Sequence, residues 1–356
     1  MAISNAQTGP VPASATPQSS PLVMRIIGAV ALAHLINDLI QSVLPSIYPM
    51  LKANYGLTFT QVGLITLTFQ LTASLLQPWV GYYTDRHPKP WLLPAGTVCT
   101  LIGILMMSVV GNFPMILLAA AIIIPYGQGH VAWFGLFAVF ALFVLYRISR
   151  WYANHLSLFK LKQGQAATHG LSKNRVISAL VVLGLLVFSK YFYMASFTSY
   201  FTFYLIEKFD LSVASSQLHL FLFLGAVAAG TFFGGPIGDK IGRKAVIWFS
   251  ILGVAPFTLI LPHVDLFWTS ILSVVIGFIL ASAFSAIVVY AQELVPGNVG
   301  MIAGVFFGLM FGFGGIGAAL LGHLADVHGI EYVYFLCSFL PLFGVLAIFL
   351  PRTKKP

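Results

Sequence analysis

The sequence predicts an all-α polytopic membrane protein built from two related halves, with ten full spans plus one short apolar segment at 113–124. Three observations predict it. Hydrophobic residues make up 59% of the 356-residue chain and charged residues only 8%, too little charge to cover a water-facing surface and the balance that lipid demands. Apolar runs of roughly 20 residues, the length that crosses a bilayer, recur along the whole chain. Two stretches also rhyme: Gly81-Tyr-Tyr-Thr-Asp85-Arg86-His-Pro-Lys89 and Gly235-Pro-Ile-Gly-Asp239-Lys240-Ile-Gly-Arg243-Lys244. Each closes an apolar run with Gly, an Asp four residues on, a cation beside it and a further cation, and the two Asp lie 154 residues apart.

Taken in order, residues 1–23 are rich in Ala, Ser, Pro and Gln and carry no charge. They read as a disordered cytoplasmic tail, with no cleaved signal peptide. An N-terminal half, 24–151, holds spans near 25–50, 59–84, 91–111 and 131–149. A basic cytoplasmic linker at 152–175 leads to a C-terminal half, 176–351, with spans near 176–204, 213–237, 245–262, 266–290, 299–322 and 332–350. Residues 352–356 form a basic cytoplasmic tail. With the N-terminus inside, fifteen Lys and Arg fall on the cytoplasmic side, only Lys52 and Lys208 fall outside, and Lys190 lies within a span. This is the positive-inside pattern, so the net charge of +9 reports orientation, and no nucleic-acid partner is implied. Cys99 and Cys337 sit in separate apolar runs and read as packing residues, with neither a disulfide nor a metal site.

The segment 113–124 is the exception. Twelve helical residues rise about 18 Å, short of the roughly 30 Å hydrocarbon core. If it crossed, every later loop would change sides and the charge rule would fail at nearly all of them. A re-entrant or interfacial segment is expected instead.

Several polar residues lie where lipid would penalise them. His34, Asp38, Gln41 and Pro45 recur at helical spacing on one face of the first span. Intramembrane acids are functional candidates by default, so Asp38 is a candidate proton site with His34 as neighbour or relay; a hydrogen-bonded cluster that glues helices is the alternative. Gly63, Thr66, Gln70, Ser74, Gln77 and Gly81 repeat the pattern on the second span, where Gln70 is the candidate for a polar substrate and the small residues suit helix packing. Lys190 stands about 14 residues into its apolar run, followed at helical spacing by Tyr193, Ser196, Tyr200 and Tyr204. A cation followed by hydroxyls suits an anionic ligand, and a Lys190–Asp38 pair broken by proton or substrate would couple the two halves; a structural ion pair or a backbone-bound lysine is the alternative.

Gly81, Asp85 and Arg86, with Gly235, Asp239, Lys240 and Arg243, are placed at cytoplasmic gating loops as a charge latch between access states, the alternative being plain topology anchors. Glu293 is read as a proton acceptor, a cap on the cytoplasmic gate, or a solvent-facing loop residue. His219 is a weaker candidate for a role in the outer half, and His323, Asp326 and His328 are assigned to an external loop. No phosphate-cradling Gly-Lys-Ser/Thr loop and no enzyme constellation occur, so neither an enzyme nor a cofactor is expected.

The paired Gly…Asp-Arg/Lys loops resemble the signature loops of the major facilitator superfamily. The runs His34-Leu-Ile-Asn-Asp38, Gly63-Leu-Ile-Thr-Leu-Thr-Phe-Gln70, Ser189-Lys190-Tyr-Phe-Tyr-Met-Ala-Ser196 and Tyr290-Ala-Gln-Glu293-Leu-Val-Pro-Gly are similar to stretches of one bacterial member of that family. The resemblance covers most of 24–351. It implies a twelve-helix bacterial inner-membrane carrier acting as a monomer on a small molecule and protons, by proton-coupled efflux of a small anionic drug. Residues alone would equally permit an importer of an organic anion. Against the family, the N-terminal half is about 45–50 residues short, and 113–124 reads as the start of the fourth family helix joined to the end of the fifth. The Gly-rich stretch of the fifth helix then has no counterpart, whereas the C-terminal half keeps one at Gly308–Gly317. An internally deleted, transport-defective form is the corresponding alternative.

Overall fold

The computed structural model describes residues 44–87, 112–122, 134–160 and 171–351, with isolated positions between 28 and 98. Every regular element among them is helical. We number the helices α1 (44–55), α2 (Phe59–Arg86), α3 (Phe113–Ile122), α4 (Phe134–Lys160), α5 (Lys173–Phe209), α6 (Val213–Ile241), α7 (Arg243–His263), α8 (Leu266–Leu294), α9 (Val299–His328) and α10 (Ile330–Phe349). Seven of these, α2 and α5 to α10, are long and apolar enough to cross a membrane. The expected spans near 25–50 and 91–111 fall largely outside the described residues.

Local signals in the sequence explain the ends. Thr58 and Gln61 form a capping box at the start of α2, and Ser212 and Asp265 accept the backbone N–H of Ser215 and Trp268 at the starts of α6 and α8. Such side chains satisfy the orphan donors of a first turn. Between α6 and α7 the chain turns at Gly242 (φ 97°), and between α9 and α10 at Gly329 (φ 85°), conformations that a Cβ would oppose. Helix α4 runs to Lys160, well past the span expected at 131–149, because no Gly or Pro interrupts the chain between Gly135 and Gly164. Helix α3, ten residues long, packs against α2.

Two apolar cores organise the described helices, the first shared with the N-terminal half through residues such as Leu44, Tyr48, Val62 and Ile65. One surrounds Tyr193, Phe197, Phe201 and Tyr204 of α5: Phe197 stacks on Phe223 of α6 at 4.5 Å, and Tyr204 on Tyr334 of α10 at 3.9 Å. The other joins the opposite end of α5 to α7, α8 and α9 through Leu183, Ile247, Ile287 and Ile302. Among the described residues the most extensive helix pair is α2 with α9, one from each half of the sequence.

Candidate functional site

Helices α2 and α9 run antiparallel, and glycine decides how close they come. A Cβ on Gly63 would strike the Ala318 carbonyl, one on Gly81 the Gly300 carbonyl, one on Gly304 the Gln77 carbonyl and one on Gly322 the Phe59 carbonyl. Gly308 meets the Ser74 carbonyl in the same way. Backbone therefore rests on backbone along almost the whole 28-residue length of α2, about 42 Å. Membrane helix pairs use small residues for this purpose, since lipid offers little hydrophobic drive for association. Of the Gly308–Gly317 stretch, Gly308 and Gly315 lie against the α2 backbone, at Ser74 and Leu67.

Each end of this seam is closed by a carboxylate. Asp85, in the last turn of α2, accepts the N–H of Gly300 at 3.1 Å and of Met301 at 2.9 Å, in the first turn of α9. Asp326, near the end of α9, accepts the N–H of Phe59 and of Thr60, both at 2.8 Å, and the Thr60 hydroxyl at 2.6 Å. A negative charge at a helix N-terminus satisfies orphan N–H groups and complements the helix dipole. Asp326 is thus not a free external-loop residue as the sequence suggested. It sits inside α9 and caps α2, 267 positions away. No periodicity could have shown this; the one hint is its place four residues after Gly322, as Asp85 stands four after Gly81.

The repeated motif does not play the same part twice. Both copies lie in final helical turns, not loops: Gly81, Asp85 and Arg86 in α2, Gly235, Asp239 and Lys240 in α6. Asp85 reaches across to the other half, but Asp239, with its side chain 70% exposed, meets only Arg243 of the next turn at 3.4 Å among the contacts described. Arg243 also pairs with Glu293 at the end of α8, so this cluster ties α6, α7 and α8 together within one half. Arg86 lies over the Tyr82 ring at 3.7 Å, and Lys240 is exposed.

Lys190 stands near the middle of the 37-residue α5, is 1% exposed, and its Nζ has no hydrogen-bond partner among the described residues. The Tyr191 ring lies 5.6 Å from it. Buried ammonium groups are costly unless neutralised or paired. Asp38 and His34 lie outside the described residues, and so does any Lys190–Asp38 pair. An apolar cavity of about 500 Å³ between α5, α9 and α10 is lined by Phe188 and Phe192 among others; these flank Lys190 by two positions, on the far side of the helix, so the cavity does not belong to the lysine.

The remaining candidates have protein partners. Tyr193 is buried in the aromatic core, and the Ser196 hydroxyl donates to the Tyr193 carbonyl at 2.7 Å. The Tyr200 hydroxyl bonds the Ala318 carbonyl at 2.5 Å and the Phe59 carbonyl at 3.3 Å, bridging the seam. The Gln70 side chain lies against Gly314, and its buried Oε1, like that of Gln77, has no partner among the described residues. His219 Nδ1 lies 2.8 Å from the Ser215 carbonyl. Sequence reasoning missed a buried chain in which Tyr48 of α1 meets Thr66 of α2 at 2.6 Å and Thr66 meets Ser199 of α5 at 3.3 Å. Tyr48 continues the stripe of Gln41 and Pro45 at helical spacing, which is the signal that would have found it.

A multi-pass helical membrane protein, two sequence halves joined along a glycine seam with a carboxylate cap at each end, is the class this architecture defines. The sequence matches the Major Facilitator Superfamily over residues 30–144 and 183–356, and the chain belongs to that family of transporters. It is 52% identical over 378 residues to the fosmidomycin resistance protein of Escherichia coli (strain K12), covering 92% of this chain and 93% of the relative. It is 33% identical over 386 residues to the uncharacterized MFS-type transporter YfnC of Bacillus subtilis (strain 168), covering 94% of each. In fold it is similar to a mutant form of the nucleoside transporter NupG, with a TM-score of 0.60 at 14% identity, over 91% of this chain and 98% of that one. Since 92% of 356 residues is about 328, about 50 of the 378 positions aligned with the E. coli protein face no residue here. That agrees with the shortfall expected in the N-terminal half.

Proposed function

We propose that the chain is a proton-coupled exporter of fosmidomycin or a similar small anionic drug. It works as a monomer in a bacterial inner membrane, with both termini in the cytoplasm. The halves 24–151 and 176–351 move against one another around a midplane site, as carriers built from repeats do. Lys190 takes the anionic group by charge-assisted hydrogen bonds, Gln70 contributes a polar contact, Asp38 with His34 carries the proton, and Asp85 holds the cytoplasmic end closed. The observation that carries this reading is Lys190: a cation at the middle of its helix, buried, with no hydrogen-bond partner among the described residues, in a chain half identical to a fosmidomycin resistance protein. Tyr193, buried among aromatic rings, Ser196, whose carbonyl accepts from Tyr334, and Tyr200, bonded to the Ala318 carbonyl, are read as holding α5 in place around the site. Glu293, paired with Arg243, serves the gate and not the proton path.

The test is drug tolerance in cells that lack their own fosmidomycin exporter. Expression should raise the inhibitory concentration, a protonophore should abolish the gain, and Lys190→Met at equal protein level should do the same. Unchanged tolerance in Lys190→Met sinks the binding role. A second reading, a transport-defective short form, is favoured by the roughly 50 aligned positions with no counterpart. Inserting the corresponding segment of the E. coli relative separates the two: protection from the lengthened chain alone would mark the short one as inactive.

A further inference from the structure

We propose that Asp326 is a positioning residue of the transport cycle: it is the lock at the end of the seam remote from Asp85, and the two carboxylates let go in alternation. The geometry is reciprocal. Asp85 leaves the last turn of α2 to cap the first turn of α9, and Asp326 leaves the last turns of α9 to cap the first turn of α2. Because the helices are antiparallel, the two caps stand at opposite ends of a seam about 40 Å long. Both cross between the halves. The Asp326 end carries further crossing bonds: Tyr200 to the Phe59 carbonyl, and Gln217 Nε2, donating to the Ser46 carbonyl at 2.6 Å.

A carrier that exposes a midplane site to one side at a time parts its halves at one end while the other stays shut. Opening at the Asp326 end exchanges three hydrogen bonds to a carboxylate for bonds to water; opening at the Asp85 end exchanges two. Bonds to a charged group are the stronger kind. Each lock therefore sets the free energy of opening at its own end, and removing one shifts the population toward the state in which the other is closed. A cap that only finishes a helix would have no such remote effect.

The proposal rests on reading the chain as an alternating carrier, and its test needs no drug. Failure to confer fosmidomycin tolerance would sink the proposed substrate and leave this measurement intact. Backbone hydrogen exchange is followed on the full chain in lipid nanodiscs. In Asp326→Ala the amides at the start of α2 should exchange about three- to tenfold faster, and those at the start of α9 should slow. Asp85→Ala should give the mirror image, and the double variant should restore the balance between the ends. Thr60→Val, which deletes only the hydroxyl donor to Asp326, should reproduce the Asp326→Ala pattern at smaller size. It keeps the test valid if Asp326→Ala unfolds and speeds exchange everywhere. Acceleration confined to the mutated end, with the far end unmoved, overturns the proposal, as does no change at either end.

Discussion

Replacing Gly304 by alanine puts one methyl group where the structure has no space for it. Its Cβ would stand 2.5 Å from the Gln77 carbonyl oxygen, 2.9 Å from the carbonyl carbon and 3.0 Å from the Pro78 Cα. All three are backbone atoms of α2, so no side chain can swing aside, and ordinary contact distances return only if the helices part locally by about 1 Å. Overpacking of this kind costs about 1–3 kcal/mol. The exchange should also gain helix propensity, since Ala is favoured over Gly by about 1 kcal/mol within a helix, so any net loss understates the clash. Gly312 is the control in the same helix: its added Cβ would meet only the Ser74 side chain, at 3.5 and 3.8 Å. Thermal unfolding of the purified protein in one detergent should place Gly304→Ala several degrees below the parent and Gly312→Ala at or above it. Equal midpoints for the two variants would refute the seam as the determinant of helix approach.

Other substitutions probe other links. Lys190→Arg should retain part of the fosmidomycin tolerance that Lys190→Met loses, read as inhibitory concentration, because a guanidinium keeps the charge but not the shape. In a double-mutant cycle on melting midpoints, Arg243→Ala and Glu293→Gln should couple by about 1 kcal/mol, since their side chains are only 17% and 28% exposed, toward the upper end for such pairs. Asp239→Asn, at a 70% exposed side chain, should lie within about 0.5 kcal/mol of the parent in the same melts. Tyr200→Phe should cost about 1 kcal/mol in thermal unfolding, the worth of one intramolecular hydrogen bond, while leaving protein yield close to the parent.

Among the described residues hydropathy located the helices, and most of them run past the ends it set. Runs expected at 176–204 and 299–322 are helical over Lys173–Phe209 and Val299–His328. An apolar run measures only the hydrocarbon slab, whereas a helix continues through the headgroup layer until a cap or a left-handed residue such as Asp210 (φ 52°) stops it. Spacing put Tyr193, Ser196 and Tyr200 on a common side of α5, but spacing cannot say whether that side meets a cavity or another helix. Tyr200 meets a notch left by Gly63 and Gly322, where bare carbonyls accept its proton. Likewise the repeated Asp motif was legible, but its unequal use was not. Asp85 has a helix N-terminus within reach and Asp239 has none described, and that depends on which helices lie opposite. The buried lysine was the exception: a cation in the middle of an apolar run needs no partner list to be conspicuous.

Gly300, Gly304, Gly308 and Gly312 recur every four residues along α9. A slip of α9 by one such step, about 6 Å, would again set glycine against the Gln77 and Ser74 carbonyls, but would bring Ala318 or Asp326 onto the Phe59 carbonyl that Gly322 now meets, so the glycine ladder resists the slip at one end more than along its middle. The two carboxylates add to that resistance at both ends. Displaced by 6 Å, neither could reach the amides it now holds. Asp85 and Asp326 thus act as alignment pins: by holding two amides at each end of the seam, they fix the register that the glycine ladder only narrows.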